Sequence, residues 1–342
     1  MRLVVDPWDP AYGTSADGDL VGDAEPKVEL GVERDLVDWA PVAPTALEAL
    51  DALLFVDGVR RVDARVWIGG DDGPLGAPGL CASWAAGVVR CTPGRAELVA
   101  ATVGRGLFSA SPDAEDLATR YGTFRSFTAR ATGPDALPLA LQDAMAATEA
   151  QVAEAAVANA LVASPGVRPG LLHPDRSPTT SASPNGSKGT LTVLDGPLRG
   201  RQHLAATVGL VKTHHVAYLE GDAGGVLAAL APGERTPVFL VATSWARFSW
   251  YLRLPGAARS SAGGVAPLTG VVRCECAADL AVEDAVALAD RTAFELPRFA
   301  SEAHKDSRAP QNLYPIGGLE RHLRRRLGDA RLLYRALRIA AS

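Results

Sequence analysis

The chain has 342 residues, is 47% hydrophobic and 21% charged, and carries a formal net charge of −5. That composition supports a sizeable buried core and excludes a globally basic nucleic-acid binder, leaving only local basic clusters to make such contacts. No apolar run approaches the roughly 18 residues of a membrane span and the start, Met1–Asp6, is too short in apolar residues for a signal peptide, so a cytoplasmic protein is expected. The four cysteines, Cys81, Cys91, Cys274 and Cys276, form no C-x-x-C pair, and read as reduced thiols rather than as a zinc site.

In chain order, residues 1–45 mix Pro, Asp and Gly and read as an N-terminal arm. Residues 46–342 read as a single catalytic domain. A helix is expected over Thr45–Leu53. From Ala52 to Ile68 the chain alternates, with Val62, Ala64, Val66 and Ile68 on one face and Arg61, Asp63, Arg65 and Trp67 on the other. This predicts a hairpin with Asp57-Gly58 near the entry to its second arm. Leu80–Thr92 reads as a third strand, giving an antiparallel meander. Leu137–Ala163 carries the strongest helical periodicity, through Leu141, Met145, Val152, Ala156, Ala160 and Leu161, and Pro165-Gly166 stops it. The Ser-, Pro- and Gly-rich stretch at 164–189 is a loop or disordered insert. Strands follow at Leu191–Leu194, Val208–Lys212, Val238–Thr243, Phe248–Leu254 and Gly270–Cys276. Helices are expected at Ala223–Leu230, Val282–Thr292, Leu319–Leu327 and Ala330–Ile339. The fold class is therefore α/β, a mixed sheet flanked by helices, with an N-terminal arm and C-terminal helices.

Two apolar runs each end in Asp-Gly: Leu53-Leu54-Phe55-Val56-Asp57-Gly58 and Leu191-Thr192-Val193-Leu194-Asp195-Gly196. Taken singly, each reads as a turn closing a strand. Taken together they suggest two carboxylates delivered to one place for a divalent ion. Hard oxygen ligands suit Mg²⁺ or Mn²⁺, and such ions can stabilise both the attacking and the leaving oxygen of a phosphodiester. The helix between them offers Glu149 and Glu154, about 140° apart around its axis, so only one can face the same site. Glu149 lies nearer the apolar stripe, and both readings stay open here.

The order of parts resembles the ribonuclease H-like nuclease fold: a strand with Asp, a hairpin and third strand, a helix with Glu, a strand with Asp, then helices. The motifs are similar to those of the NurA nuclease family. They are Phe55-Val56-Asp57-Gly58, the helical Glu149 or Glu154, Val193-Leu194-Asp195-Gly196-Pro197-Leu198, the Gly209–Thr213 segment, and Leu313-Tyr314-Pro315 followed by Glu320-Arg321-His322. The resemblance covers roughly residues 50–330 and rests on order and spacing. Pro197, where that family often has Ser, and the insert depart from the pattern. The resemblance implies a metal-dependent DNA nuclease, a 5′ to 3′ exonuclease with single-strand endonuclease activity, working in DNA-end resection during double-strand-break repair. It implies a homodimer docked on a HerA-type hexameric ATPase. Asp57, Glu149, Asp195 and His322 would bind Mn²⁺ or Mg²⁺, with Glu154 the alternative glutamate and Tyr314 and His322 supporting catalysis.

Basic residues lie where DNA contacts are needed, since phosphate contacts dominate affinity. Arg60 and Arg61 follow the first Asp, Arg199 and Arg201 the second. Lys212, Lys305, Arg308 and Arg321 come next, beside a terminal arginine-rich helix that also reads as a solvated face. His214, His215 and His304 carry less, and Trp245, Trp250 and Tyr251 read as core aromatics that could also stack on bases. A catalytically silent DNA-binding or adaptor protein on the same fold is the competing reading. A phosphatase-like hydrolase would want a second Asp two residues after the first, and position 59 is Val. No G-x-x-x-x-G-K-[ST] motif occurs, so ATP hydrolysis is not expected of this chain.

Overall fold

The computed structural model describes residues 2–5, 26–69, 76–130, 133, 135–163, 189–204, 206–214, 216–256 and 268–341. The insert expected at 164–189 falls almost wholly outside the described residues, as do residues 6–25 of the N-terminal arm and His215. β1 (Arg2–Val5) and β2 (Lys27–Glu29) are short; β3 (Ala52–Gly69), β4 (Ala77–Thr92) and β5 (Arg95–Ser109) are long and form an antiparallel meander. β6 (Leu117–Thr119) and β7 (Gly122–Thr128) follow, and then the long helix α1 (Ala136–Ala163). β8 (Thr190–Asp195) and β9 (Thr207–Val211) come next, then α2 (Gly221–Ala229), β10 (Phe239–Ala242), β11 (Ala246–Arg253) and β12 (Val271–Ala277). Three helices close the chain: α3 (Val282–Glu295), α4 (Tyr314–Arg326) and α5 (Ala330–Ala340).

Among the described residues the strands form one twelve-stranded sheet in the order β2-β10-β11-β12-β9-β8-β3-β4-β5-β7-β6, with β1 on the free end of β3. β8 runs parallel to β3, and β9 parallel to β8. The result is a mixed α/β fold, a large central sheet flanked by helices. No described helix is long and apolar enough to cross a membrane.

β3 runs unbroken for 18 residues, so the hairpin expected at Asp57-Gly58 is replaced by a continuous strand. The alternation stays in phase through this dipeptide, and β4 supplies a partner along the run from Leu53↔Cys91 to Ile68↔Ala77. Two further differences have local causes. The helix expected over Thr45–Leu53 does not form: the Leu50 amide instead donates to buried Glu295 Oε1 at 2.9 Å, Leu50 enters the core, and Ala52 and Leu53 already belong to β3. β5 was not anticipated, because its residues alternate only weakly between half-buried and exposed positions.

Alternation along β3 assigns its two faces. Leu53 and Phe55 pack with Ala285, Leu288 and Ala289 of α3, and Val59 packs with Leu319 and Leu323 of α4. Leu54 and Val56 pack with Val152, Ala153 and Ala156 of α1. Asp57 therefore belongs to the α4 face and Gly58 to the α1 face. On β4, the small residues Ala85 and Ala86 let helices approach from both sides: Ala85 joins the α4 cluster and Ala86 the α1 cluster.

One buried ion pair ties three distant segments. Arg235, 1% exposed, donates from Nη1 and Nη2 to Glu33 (2.8 and 2.9 Å) and from Nε to Asp290 Oδ1 (2.8 Å). Removing a guanidinium from such a pair leaves buried carboxylate charge uncompensated. Arg235→Ala is expected to lower stability by on the order of 3–5 kcal/mol, read as a fall in the urea midpoint at unchanged slope. A loss below about 1 kcal/mol would place this network among ordinary surface pairs.

Candidate active site

Two parallel strands deliver the two aspartates. The β3–β8 register runs from Ala52↔Thr190 to Val56↔Leu194. Asp57 and Asp195 come one residue later, side by side and on the same face. β8 ends there while β3 continues, so the sheet opens beside them. An open pocket of about 200 Å³ occupies this opening and is lined by Asp57, Asp195, Glu320, Arg60, Arg308 and Arg324, with Met145 and Gly58 reaching it from the α1 side.

The electrostatics are those of crowded, poorly hydrated carboxylates. Asp57 is 6% exposed. Burial pushes its pKa well above the ordinary carboxylate range and the Asp195 charge adds to this, while Lys212 and the Gly58 amide, which donates to Asp57 Oδ1 at 2.7 Å, act against it. Asp195 is also raised, by burial first, with Lys212 opposing and Glu320 reinforcing the shift. Lys212 Nζ donates to Asp195 Oδ2 at 2.7 Å and to Asn312 Oδ1 at 3.0 Å. Asn312 is fully buried, and its Nδ2 donates to Asp306 Oδ2 at 2.6 Å. A side chain at Gly317 would strike Asn312 Nδ2 at 2.9 Å, so glycine there lets α4 lie against this bond.

Glu320 was not singled out in the sequence, yet α4 carries it into the pocket. Its carboxylate accepts from Arg308 Nη2 (2.5 Å) and from Arg324 Nη2 (2.9 Å) and Nε (3.1 Å). Burial alone would raise its pKa, but these two guanidiniums hold it below the ordinary range. The available signal was the helical pattern: Ile316, Leu319 and Leu323 are buried, which leaves Glu320 and Arg324, one turn apart, at the rim of that stripe.

The helical glutamates separate clearly. Glu149 is 2% exposed, and a side chain at Gly58 would meet its Oε1 at 2.2 Å, so it packs directly behind Gly58. It lies on the face opposite Asp57, is not among the residues lining the pocket, and is ion-paired with Arg201 Nη1, so the metal role expected of it is not seen in this arrangement. Glu154 is brought to no such place: its side chain is 57% exposed and contacts His203 Nε2 at 3.1 Å. Five residues of helix turn one carboxylate inward and the other to solvent.

Other expected residues divide in the same way. His322 lies outside the pocket; its Nε2 accepts from Arg326 Nε at 2.9 Å along the exposed side of α4. Tyr314 is half-exposed at the start of α4, with the Lys305 ammonium 5.3 Å from its ring centroid. Of the basic residues, Arg60 and Arg308 line the pocket and Lys212 holds Asp195. Arg61 instead bonds Asp63 Oδ1 and the Gly328 carbonyl, each at 2.8 Å. Arg201 is buried against Glu149, donates to the Pro197 carbonyl and is not among the residues lining the pocket. Arg199, Lys305 and Arg321 are exposed. His304 is exposed beside Glu302, and Trp250 and Tyr251 are buried in the core. The four cysteines are buried and unpaired.

The donor set fits a hard divalent cation in kind, since among the described residues the pocket offers carboxylate oxygens and no thiolate or imidazole. Asp195 Oδ1 is buried without a hydrogen-bond partner, as an atom reserved for a ligand would be. Asp57 and Asp195 are the residues that would hold the ion. Among the described residues, however, no three His, Cys, Asp or Glu side chains stand close enough to ligate one ion as now held.

No protein-family model matches the chain, and no curated protein matches it. Among solved structures, the crystal structure of the NurA nuclease from Sulfolobus solfataricus is similar over 84% of this chain and 84% of that one, with 9% sequence identity and a TM-score of 0.42. A likeness of that degree decides neither family nor activity, which rest on the site itself.

Proposed function

We propose that the chain is a metal-dependent nuclease acting on DNA, with its ion site built on Asp57 and Asp195. The observation that carries this reading is the pair of buried carboxylates at adjacent parallel strand positions, opening into a pocket rimmed by Arg60, Arg308 and Arg324. The sheet order β9-β8-β3-β4-β5, with β8 and β9 parallel to β3, supports a ribonuclease H-like core. A bound Mg²⁺ or Mn²⁺ would supply a water of lowered pKa and neutralise charge on the phosphate. The chain's own part is to fix the geometry. Asp57 and Asp195 hold their oxygens at the opening. Lys212 orients Asp195, and Asn312 orients Lys212. The arginines bind the phosphate through paired N–H donors.

The sequence resemblance extends this proposal to 5′ to 3′ and single-strand endonuclease activity in DNA-end resection, by a homodimer working with a HerA-type hexameric ATPase. One observation favours the rival reading of a silent DNA-binding adaptor: Asp195, Glu149 and Glu320 each already pair with a cationic side chain. Digestion of end-labelled DNA separates the two. The nuclease reading expects cleavage with Mn²⁺ or Mg²⁺ that chelator abolishes. Tight DNA binding with no cleavage under either metal is the adaptor's result.

A further inference from the structure

Glu320 faces the same pocket as Asp57 and Asp195 but is held by two arginines that are themselves mostly in solvent. The Glu320 side chain is 14% exposed, against 53% for Arg308 and 65% for Arg324. Ion pairs whose cationic partner is largely in solvent are weak and exchange partners at little cost. A phosphodiester offers the same guanidiniums a second acceptor of equal or greater charge in the bidentate geometry arginine favours. Glu320 has no comparable substitute partner. If Arg308 and Arg324 turn to a phosphate, a third carboxylate is left beside Asp57 and Asp195, whose pKa values it already perturbs. The network is also closed mechanically. Arg308 lies 3.6 Å from Asp306 Oδ1, and Asp306 accepts from Asn312, which accepts from Lys212, which bonds Asp195. The Glu320 and Asp195 ends of the pocket thus share one chain of contacts.

Resting on the nuclease reading, we infer that Glu320 is the third carboxylate of the ion site, and that Arg308 and Arg324 mask it until a nucleic-acid phosphate draws them away. The phosphate and the divalent ion then bind with positive coupling: each exposes, or compensates, what the other needs. By reciprocity the ion raises affinity for the nucleic acid by the same factor. Among the described residues no three His, Cys, Asp or Glu side chains stand close enough for one ion, so Glu320 must move toward the aspartates once its arginines leave.

Titration calorimetry of Mn²⁺ into the full chain tests this, with and without a short phosphorothioate oligodeoxynucleotide that resists cleavage. The wild type is expected to bind Mn²⁺ on the order of 10-fold more tightly when the oligonucleotide is present. Glu320→Gln is expected to lose that tightening while keeping the wild-type melting temperature within a few degrees. An Arg308→Ala, Arg324→Ala double variant is expected to bind Mn²⁺ tightly without oligonucleotide and to gain little on its addition. A purely structural Glu320 would not produce this opposite pair of changes. Full tightening in Glu320→Gln overturns the inference alone. Mn²⁺ binding that Asp57→Asn leaves unchanged, or no Mn²⁺ binding by the wild type in either condition, overturns the underlying site and the inference with it.

Discussion

Asp57→Asn is expected to abolish metal-dependent cleavage while raising the melting temperature of the metal-free protein. Both effects come from one buried carboxyl. Asp57 keeps its proton in the folded chain, because of burial and the nearby Asp195 charge, over a pH range in which the unfolded chain has already lost it. Its stabilising contribution is present below the ordinary carboxylate pKa and is lost as pH rises through the raised value. At neutral pH it is therefore a cost to the metal-free fold. Asparagine fills the same volume and cannot ionise, so the Asp57 share of that fall is removed and only what the raised Asp195 contributes is left. Thermal unfolding from about pH 4 to about pH 8 should show the variant pulling ahead of the wild type as pH rises. Mn²⁺ should reverse the order, since an ion present at about 100 times its dissociation constant stabilises the binding-competent wild type by about 2.7 kcal/mol. Cleavage should fall at least about 100-fold, the upper range for losing even an outer-shell partner of a metal site. An Asp57→Asn chain that melts lower than wild type at neutral pH without metal would contradict the account of this carboxyl.

Glu149→Ala and Glu154→Ala are expected to differ by several kcal/mol despite lying on one helix. Glu149 is the counter-ion of buried Arg201 and fills the space behind Gly58. Truncating it strands a guanidinium that is 6% exposed, and opens a void beneath the strand that carries Asp57. The expected loss is on the order of 3–5 kcal/mol. Replacing both Glu149 and Arg201 with methionine should recover most of it, because removing a buried pair together is far less damaging than removing one member. Glu154, paired with His203 in solvent, should cost no more than about 0.5 kcal/mol. Equal, small effects from the two alanines in urea unfolding would show that the pairing behind Gly58 contributes nothing.

The contrast between these glutamates marks how far the sequence could be read. Strands and helices with strong periodicity were legible: α1 starts within one residue of the expected Leu137, and Leu191–Leu194, Val208–Lys212 and the last helix fall where the apolar patterns put them, while α4 starts at Tyr314, well before the expected Leu319. Asp195 was legible as a strand-end carboxylate because an apolar run that meets a charge implies a buried strand reaching an opening, whereas Asp57 follows such a run inside a strand that continues to Gly69. That they would meet was expected from the repeated Asp-Gly ending and the order of parts, and the parallel β3–β8 register across the intervening chain is what brings them together. Asp57-Gly58 also looked like a turn and is strand interior, because the reason for Gly58 is the Glu149 carboxylate behind it, a contact between distant segments. Glu320 was missed for a related reason. Its neighbours in sequence, Arg321 and His322, attracted the reading of the helix end, whereas the packing of Leu319 and Leu323 on β3 and β4 decides which side chain turns into the pocket.

The central claim is that Asp57 and Asp195 share one divalent-ion site. Anomalous diffraction from crystals of the full chain soaked in Mn²⁺ tests it most directly. The account predicts a manganese peak between the Asp57 and Asp195 carboxylates, absent from crystals of Asp195→Asn. Manganese bound elsewhere while these two carboxylates stay empty, or a peak that survives the substitution unchanged, would contradict it.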